Sequence, residues 1–225
     1  MRIILLLVTI VALSGCVAVY QKPIKMEKNY LSSGSKKIGV IFTKLPKPDV
    51  HLPGAGCLLC IAVAEANHSS LSAHVDTLST DDFNTVKKQL LTKLRGKGLN
   101  VVELDEKIDL SELPDFDPLK EGFSEKDYRG FRNKYGVNHV LAVQINSIGM
   151  ERKYSSYIPV ADPSAVVLGV SYLVDLKDNS YKWYKHIKVH KSASGSWDEP
   201  PAFPALTNAF YQAIESGKEV ILSDL

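Results

Sequence analysis

The sequence predicts an α/β fold of the α+β kind: a single mixed sheet with helices packed on it, a C-terminal β-hairpin and a final helix. Three observations predict it. Short β-branched runs alternate with helical periodicity through the first two thirds of the chain. Two long strand-like segments then flank the polar turn Lys177-Asp178-Asn179-Ser180. Last, an apolar stripe recurs at helical spacing from Phe203 onward.

The first strand is Ile38-Gly39-Val40-Ile41-Phe42, apolar and β-branched. Residues 44–56 carry Pro46, Pro48, Pro53, Gly54 and Gly56 and read as loop. The segment from Cys57 to Ala66 is apolar nearly all round and rich in Ala and Leu, which favours helix. A helix apolar on every side is either buried or bound to something. The next helix is predicted from Ser79 or Thr80 as cap, with Asp81 and Asp82 in its first turn and Phe83, Val86, Leu90, Leu91 and Leu94 on one face. Gly96 or Gly98 ends it, and residues 100–104 follow as a strand. Residues 105–122, acidic and containing Pro114 and Pro118, read as loop.

Ser124-Glu125-Lys126-Asp127 has the pattern of a capping box, with Tyr128, Phe131 and Tyr135 as the buried stripe behind it and Gly136 as the stop. Residues 137–148 form an apolar run expected to be a central strand, and 149–163 a loop. The hairpin pairs 165–175 with 181–192. Pro200, Pro201 and Pro204 break the chain before the last helix, whose stripe is Phe203, Leu206, Phe210, Ile214 and Ile221.

Composition is that of a globular domain, with 45% hydrophobic and 23% charged residues. A net charge of +2 gives no case for a nucleic-acid partner. The N-terminus is more specific. Arg2 precedes the apolar run Ile3 to Val8, which continues past Thr9 to Leu13, too short to span a bilayer but right for a secretory segment. Leu13-Ser14-Gly15-Cys16 follows, and this stretch resembles the lipobox of bacterial lipoproteins. The resemblance implies cleavage before Cys16, acylation of its thiol and a covalent lipid as the anchor. It also implies the periplasmic face of the outer membrane, because the second mature residue is Val17 rather than the aspartate of inner-membrane retention. The expected organisation is a signal segment at 1–15, a lipidated flexible tether at 16–37 and a periplasmic domain at 38–225.

Beyond the anchor, chemistry is sparse. Cys57 and Cys60 remain as a C-x-x-C pair in an exported chain. The pair can be a structural disulfide or buried thiols, a redox centre, or half of a metal site, although no second ligand pair exists to complete the last. Leu58 and Leu59 between the sulfurs argue for burial. His51, His68, His74, His139, His186 and His190 are scattered, and no metal site follows from their spacing. Lys182, Tyr184, His186, Lys188 and His190 alternate along the second hairpin strand as one basic, aromatic stripe. That stripe is either a ligand surface for a glycan, a lipid headgroup or an acidic partner, or a solvated sheet face. Leu58, Leu59, Ile61 and Val63 form the candidate contact surface if the 57–66 helix is not core. No nucleophile elbow, zinc-protease motif, phosphate loop or dinucleotide fingerprint occurs, so no catalytic residues and no cofactor besides the lipid on Cys16 are expected.

From about Lys36 to Leu222 the order of elements resembles a group of outer-membrane lipoproteins with small α/β sandwich domains. The group includes the curli-secretion lipoprotein, the lipoprotein activator of penicillin-binding proteins and the N-terminal domain of the Tol-system periplasmic protein. No functional residue of that group is matched here. The expectation is a non-enzymatic, membrane-anchored accessory protein that contacts an envelope protein or a second copy of itself. The alternatives are a thiol-disulfide protein using Cys57 and Cys60, and a glycan- or lipid-binding module.

Overall fold

The structure, a computed structural model, describes residues 20–32, 36–104, 109–117 and 119–223. Segment 1–15 and Cys16 lie outside the described residues. Among these residues, eight strands and five α-helices follow in the order β1 (Lys37–Phe42), β2 (Asp49–His51), α1 (Leu58–Asn67), α2 (Ser69–Val75), α3 (Thr85–Gly96), β3 (Asn100–Glu103), α4 (Phe131–Tyr135), β4 (His139–Glu151), β5 (Tyr154–Ser155), β6 (Ile158–Pro159), β7 (Ser164–Asp175), β8 (Ser180–Ser192) and α5 (Pro204–Leu222). The main sheet has the order β3-β1-β4-β7-β8, with β2 on the far end of β4. Strands β3, β1 and β2 run parallel to their partners, while β7 and β8 are antiparallel, so the sheet is mixed as predicted.

Strand β4 organises the sheet. Leu141, Val143 and Ile145 face the helices together with Ile38 and Val40. Val140 and Ala142 face the other way with Ile41. Alternation would then send Ile148 and Met150 to the wrong side. A bulge between Ile145 and Ser147, with Asn146 as the extra residue, returns both to the helix-facing core. Beyond it, Gly149 pairs with Asp49 of β2.

Helices α3 and α5 cover one face through Val86, Leu90 and Leu94 and through Leu206, Phe210 and Ile214, as their periodicity predicts. The α3 signal resolves into a 3-10 turn, Asp81–Asn84, that runs into the helix, with the Asp81 backbone N–H donating to Ser79 Oγ. The open end of α5 is tied by two cations. Lys185 Nζ donates to the Val220 carbonyl at 3.2 Å, and Lys93 Nζ donates to that of Leu222. The opposite face is covered by Leu104, Leu110, Tyr128, Phe131 and Val137.

Several expectations are corrected. The capping box does not form: the Asp127 N–H donates to Pro114 O and its carboxylate takes Arg129, so helix begins only at Phe131. Local side-chain bonding there beats the helical cap. The loop at 44–56 contains β2, the loop at 149–163 contains the β5–β6 hairpin, and α2 was not predicted. The tether expected at 16–37 is docked wherever it is described up to Leu31. Ile24 forms a two-bond bridge with Tyr184, the Tyr30 hydroxyl lies 2.8 Å from His139 Nε2, and Met26, Tyr30 and Leu31 pack on the core. Partly buried apolar side chains among the lysines, with the hydrogen bonds of Ile24 and Tyr30, outweigh the chain entropy that the lysine-rich composition suggested.

Gly149 combines φ +137° with a position where a Cβ would lie 2.0 Å from the Asp49 carbonyl oxygen. Gly149→Ala is therefore expected to lower stability by about 2 kcal/mol or more in urea unfolding. Gly130→Ala, at φ −59° with open space around it, should be neutral or slightly stabilising.

Candidate functional site

Two neighbouring features gather the residues singled out from the sequence. The first is the lobe built on α1. Cys57 and Cys60 are joined by a disulfide (S–S 2.18 Å, Cα–Cα 4.9 Å), with Cys57 at the N-cap. Only Cys60 and Ala64 of the helix are buried, against Ala55 and Tyr154. Leu58 is 90% and Leu59 74% exposed, and Ile61 and Val63 are exposed as well. The burial expected from the leucines between the sulfurs is overturned, because the narrow seat under α1 accepts only the small face Cys60/Ala64.

His68, buried between α1 and α2, holds this lobe to the sheet. Arg152 Nη1 donates to His68 Nε2 at 2.9 Å. A guanidinium only donates, so Nε2 is the acceptor and the protonated Nδ1 donates to the Ala64 carbonyl at 2.8 Å. Trp197 stacks on the imidazole at 6.5 Å, and Arg152 lies over the Trp197 ring at 4.6 Å. Burial lowers the His68 pKa, against the pull of the Ala64 carbonyl, and Arg152 lowers it further. His139 is likewise lowered, first by burial, with Asp175 opposing.

The second feature is an aromatic pocket of about 500 Å³ on the sheet face away from α3 and α5. Tyr172, Tyr181, Tyr184, Gln144 and His186 contribute from the strands, Phe123, Glu125 and Tyr128 from the loop before α4, and Tyr20 and Gln21 close one end. Tyr20 stacks on His186 at 5.5 Å, and His186 Nε2 donates to the Gln21 carbonyl at 3.1 Å. Gln21 Oε1 accepts from the Gly122 N–H at 2.7 Å, lacing the loop to β8. Burial holds the hydroxyls of Tyr172, Tyr181 and Tyr184 protonated well above neutral pH, and the Glu125 charge adds to this.

The stripe predicted along β8 is only partly one surface. Tyr184 and His186 line the aromatic pocket, while Lys188 and His190 line an adjoining groove with His186. Lys182 does not belong to it. The register shifts between Leu173 and Val174, which pair with Trp183 and Tyr181, so Lys182 is the extra residue of a bulge. The bulge puts Tyr181 and Tyr184 together against Tyr172, at 5.4 and 5.9 Å, and Lys182 Nζ instead lies 3.8 Å from Asp175. Tyr128, Tyr172, Tyr181, Gln144 and Glu125 were missed as pocket residues; the tyrosine density around 172–184 was the available signal. Among the described residues, no group of three His, Cys, Asp or Glu is placed to share a metal ion, and no helix is long and apolar enough to cross a membrane.

No family model and no curated protein matches the chain. Solved structures overlap it loosely. The PelC dodecamer from Paraburkholderia phytofirmans is 11% identical over 88% of this chain and 95% of that one, with a TM-score of 0.32. Protein XCC0632 from Xanthomonas campestris, of family DUF330, is 12% identical over 91% and 92%, at 0.37. Lipoprotein GNA1162 from Neisseria meningitidis is 13% identical over 80% and 99%, at 0.28. Overlap at this level transfers no function.

His68 and His139 are neutral in the fold and protonate in the unfolded chain below its ordinary value near 6.5. Stability is therefore fully present above that value and falls as pH drops toward the folded pKa values. Urea midpoints are expected to decline from pH 7.5 to 5.0, and His68→Gln should remove up to about 1.4 kcal/mol per pH unit of that decline.

Proposed function

We propose that this protein is a non-enzymatic accessory protein of the bacterial envelope, anchored to the periplasmic face of the outer membrane by lipid on Cys16, and that it acts by binding an envelope protein through the exposed face of α1. The observation that carries this reading is the pair Leu58 and Leu59, almost fully exposed in the turn closed by the Cys57–Cys60 disulfide. An uncovered pair of leucines next to Ile61 and Val63 is costly in water and has value only where a partner covers it. The disulfide fixes the turn in advance, so little ordering entropy is lost on contact. Burying both leucines contributes about 3 kcal/mol or more, roughly a hundredfold in Kd.

A photo-crosslinking residue at Ile61 in intact cells is expected to capture a discrete partner. The Leu58→Asp/Leu59→Asp variant should lose that adduct while keeping its Tm, because both side chains lie outside the core. An unchanged adduct overturns the contact surface, and an adduct with the same chain replaces the foreign partner by self-assembly. Cys16→Ser should release the protein from the membrane fraction, and continued sedimentation with envelopes overturns the anchor.

The aromatic pocket favours a second reading, a saccharide-binding module. Tyrosine faces stack on sugar rings, and Gln144, Glu125 and protonated tyrosine hydroxyls supply the hydrogen bonds such a ligand needs. Saturation-transfer NMR with neutral disaccharides should show ring-proton contacts that weaken about tenfold in Tyr184→Ala; no contact with any of them removes this reading.

A further inference from the structure

We infer that the domain does not hang from a spacer but docks flat on an anionic phospholipid surface, through the outer face of β8 and the β5–β6 hairpin. This rests on the anchoring of Cys16 proposed above. Tyr20 is fixed to the domain by its stack on His186, and Ile24 by its two-bond bridge with Tyr184. Four peptide units separate Cys16 from Tyr20, a span of at most about 14 Å. Acyl chains on Cys16 therefore hold the His186 end of β8 within about that distance of the headgroups.

The surface around that point has the composition of a membrane interface. Lys188 and His190 are exposed on the same side of β8 as His186, at intervals of about 6.6 Å. Lys153 and Val160, from either side of the hairpin, line the same groove. At the hairpin, Tyr157 is 63%, Ile158 55% and Val160 59% exposed, with Ser156 at φ +58° turning the chain between its two strands. An aromatic and two aliphatic side chains flanked by Lys153, Lys188 and His190 suit the boundary between acyl chains and phosphates: the apolar groups enter it and the cations meet the phosphates. Among the described residues lining the groove, the carboxylate is that of Glu151, which is half-buried. The opposite face of the sheet carries α5, whose exposed Tyr211 marks the side turned away.

The experiment uses the full acylated chain in phosphatidylethanolamine–phosphatidylglycerol vesicles containing brominated lipid. Single additions Ile158→Trp and Tyr211→Trp are compared with the parent, whose Trp183 and Trp197 set the background. The added emission at 158 is expected to be blue-shifted and quenched at least twofold, and that at 211 unquenched. Lys153→Glu/Lys188→Glu in the Ile158→Trp background should reduce the quenching, and so should added salt. A chain that sediments with the vesicles but shows no quenching at 158, or equal quenching at both positions, overturns the docking and leaves the anchor standing. Emission at 158 that is blue-shifted without quenching, together with dimers in sedimentation, assigns the hairpin to a second copy and also overturns it. A chain that stays in the supernatant, as Cys16→Ser should, overturns the anchor and this inference with it.

Discussion

Strand β4 must satisfy two registers at once, and the rest of the molecule depends on how it does so. Its first half pairs with β1 and its last residues with β2, while the whole length pairs with β7. Buried on both faces, it cannot tolerate a slip, since a one-residue slip exchanges the two cores. Asn146 absorbs the one residue by which the two halves disagree. The bulge keeps Ile148 and Met150 under the helices and aims Arg152, just past the strand, at His68. The lobe carrying the exposed helix is thus positioned by an irregularity in the most buried strand.

That dependence explains how α1 can stay apolar on its outer side without unfolding into the core. The helix gains little from burial, since only Cys60 and Ala64 reach the seat. It is held instead by covalent closure at one end and by the His68–Arg152–Trp197 stack at the other. The His68 acceptor works only while the imidazole is neutral, so the hold on α1 is strongest where burial keeps the proton off.

The elements legible in the sequence are those whose own periodicity decides them. The stripe Phe83, Val86, Leu90, Leu91 and Leu94 is buried as a whole, and the hairpin turns at 176–179, one residue before the predicted 177–180. What the sequence hid depends on partners far along the chain. Strand β2 has three residues and exists because Gly149 lets Asp49 approach. The sequence 124–127 satisfies a cap rule, yet its groups bond to Pro114, Asn179 and Arg129. The lysines of 20–32 mask Tyr20, Ile24 and Tyr30, which dock at sites formed by residues more than a hundred positions later. The candidate stripe was half legible for the same reason. Alternation places Tyr184 and His186 correctly, but no local signal marks Lys182 as the bulge residue that gathers three tyrosines into a pocket.

The β5–β6 hairpin and the exposed helix α1 share a common support. Tyr154 belongs both to the hairpin that carries Tyr157 and Ile158 and to the seat under α1, with Ala55 and Cys60. Pro53 and Gly54, leading into α1, hydrogen-bond through their carbonyls to the N–H groups of Tyr154 and Ser156. The hairpin and the exposed helix therefore stand in one fixed relation through these contacts. A domain on a free spacer would sample a wide shell of orientations and present Leu58 and Leu59 to the membrane, to solvent and to partners in turn. On the docking inferred above, a domain held at Tyr20 and at the hairpin would sample one orientation, and a partner in the same membrane would meet the helix already aligned. The gain would be one of effective concentration and of orientational entropy already lost before the partner arrives.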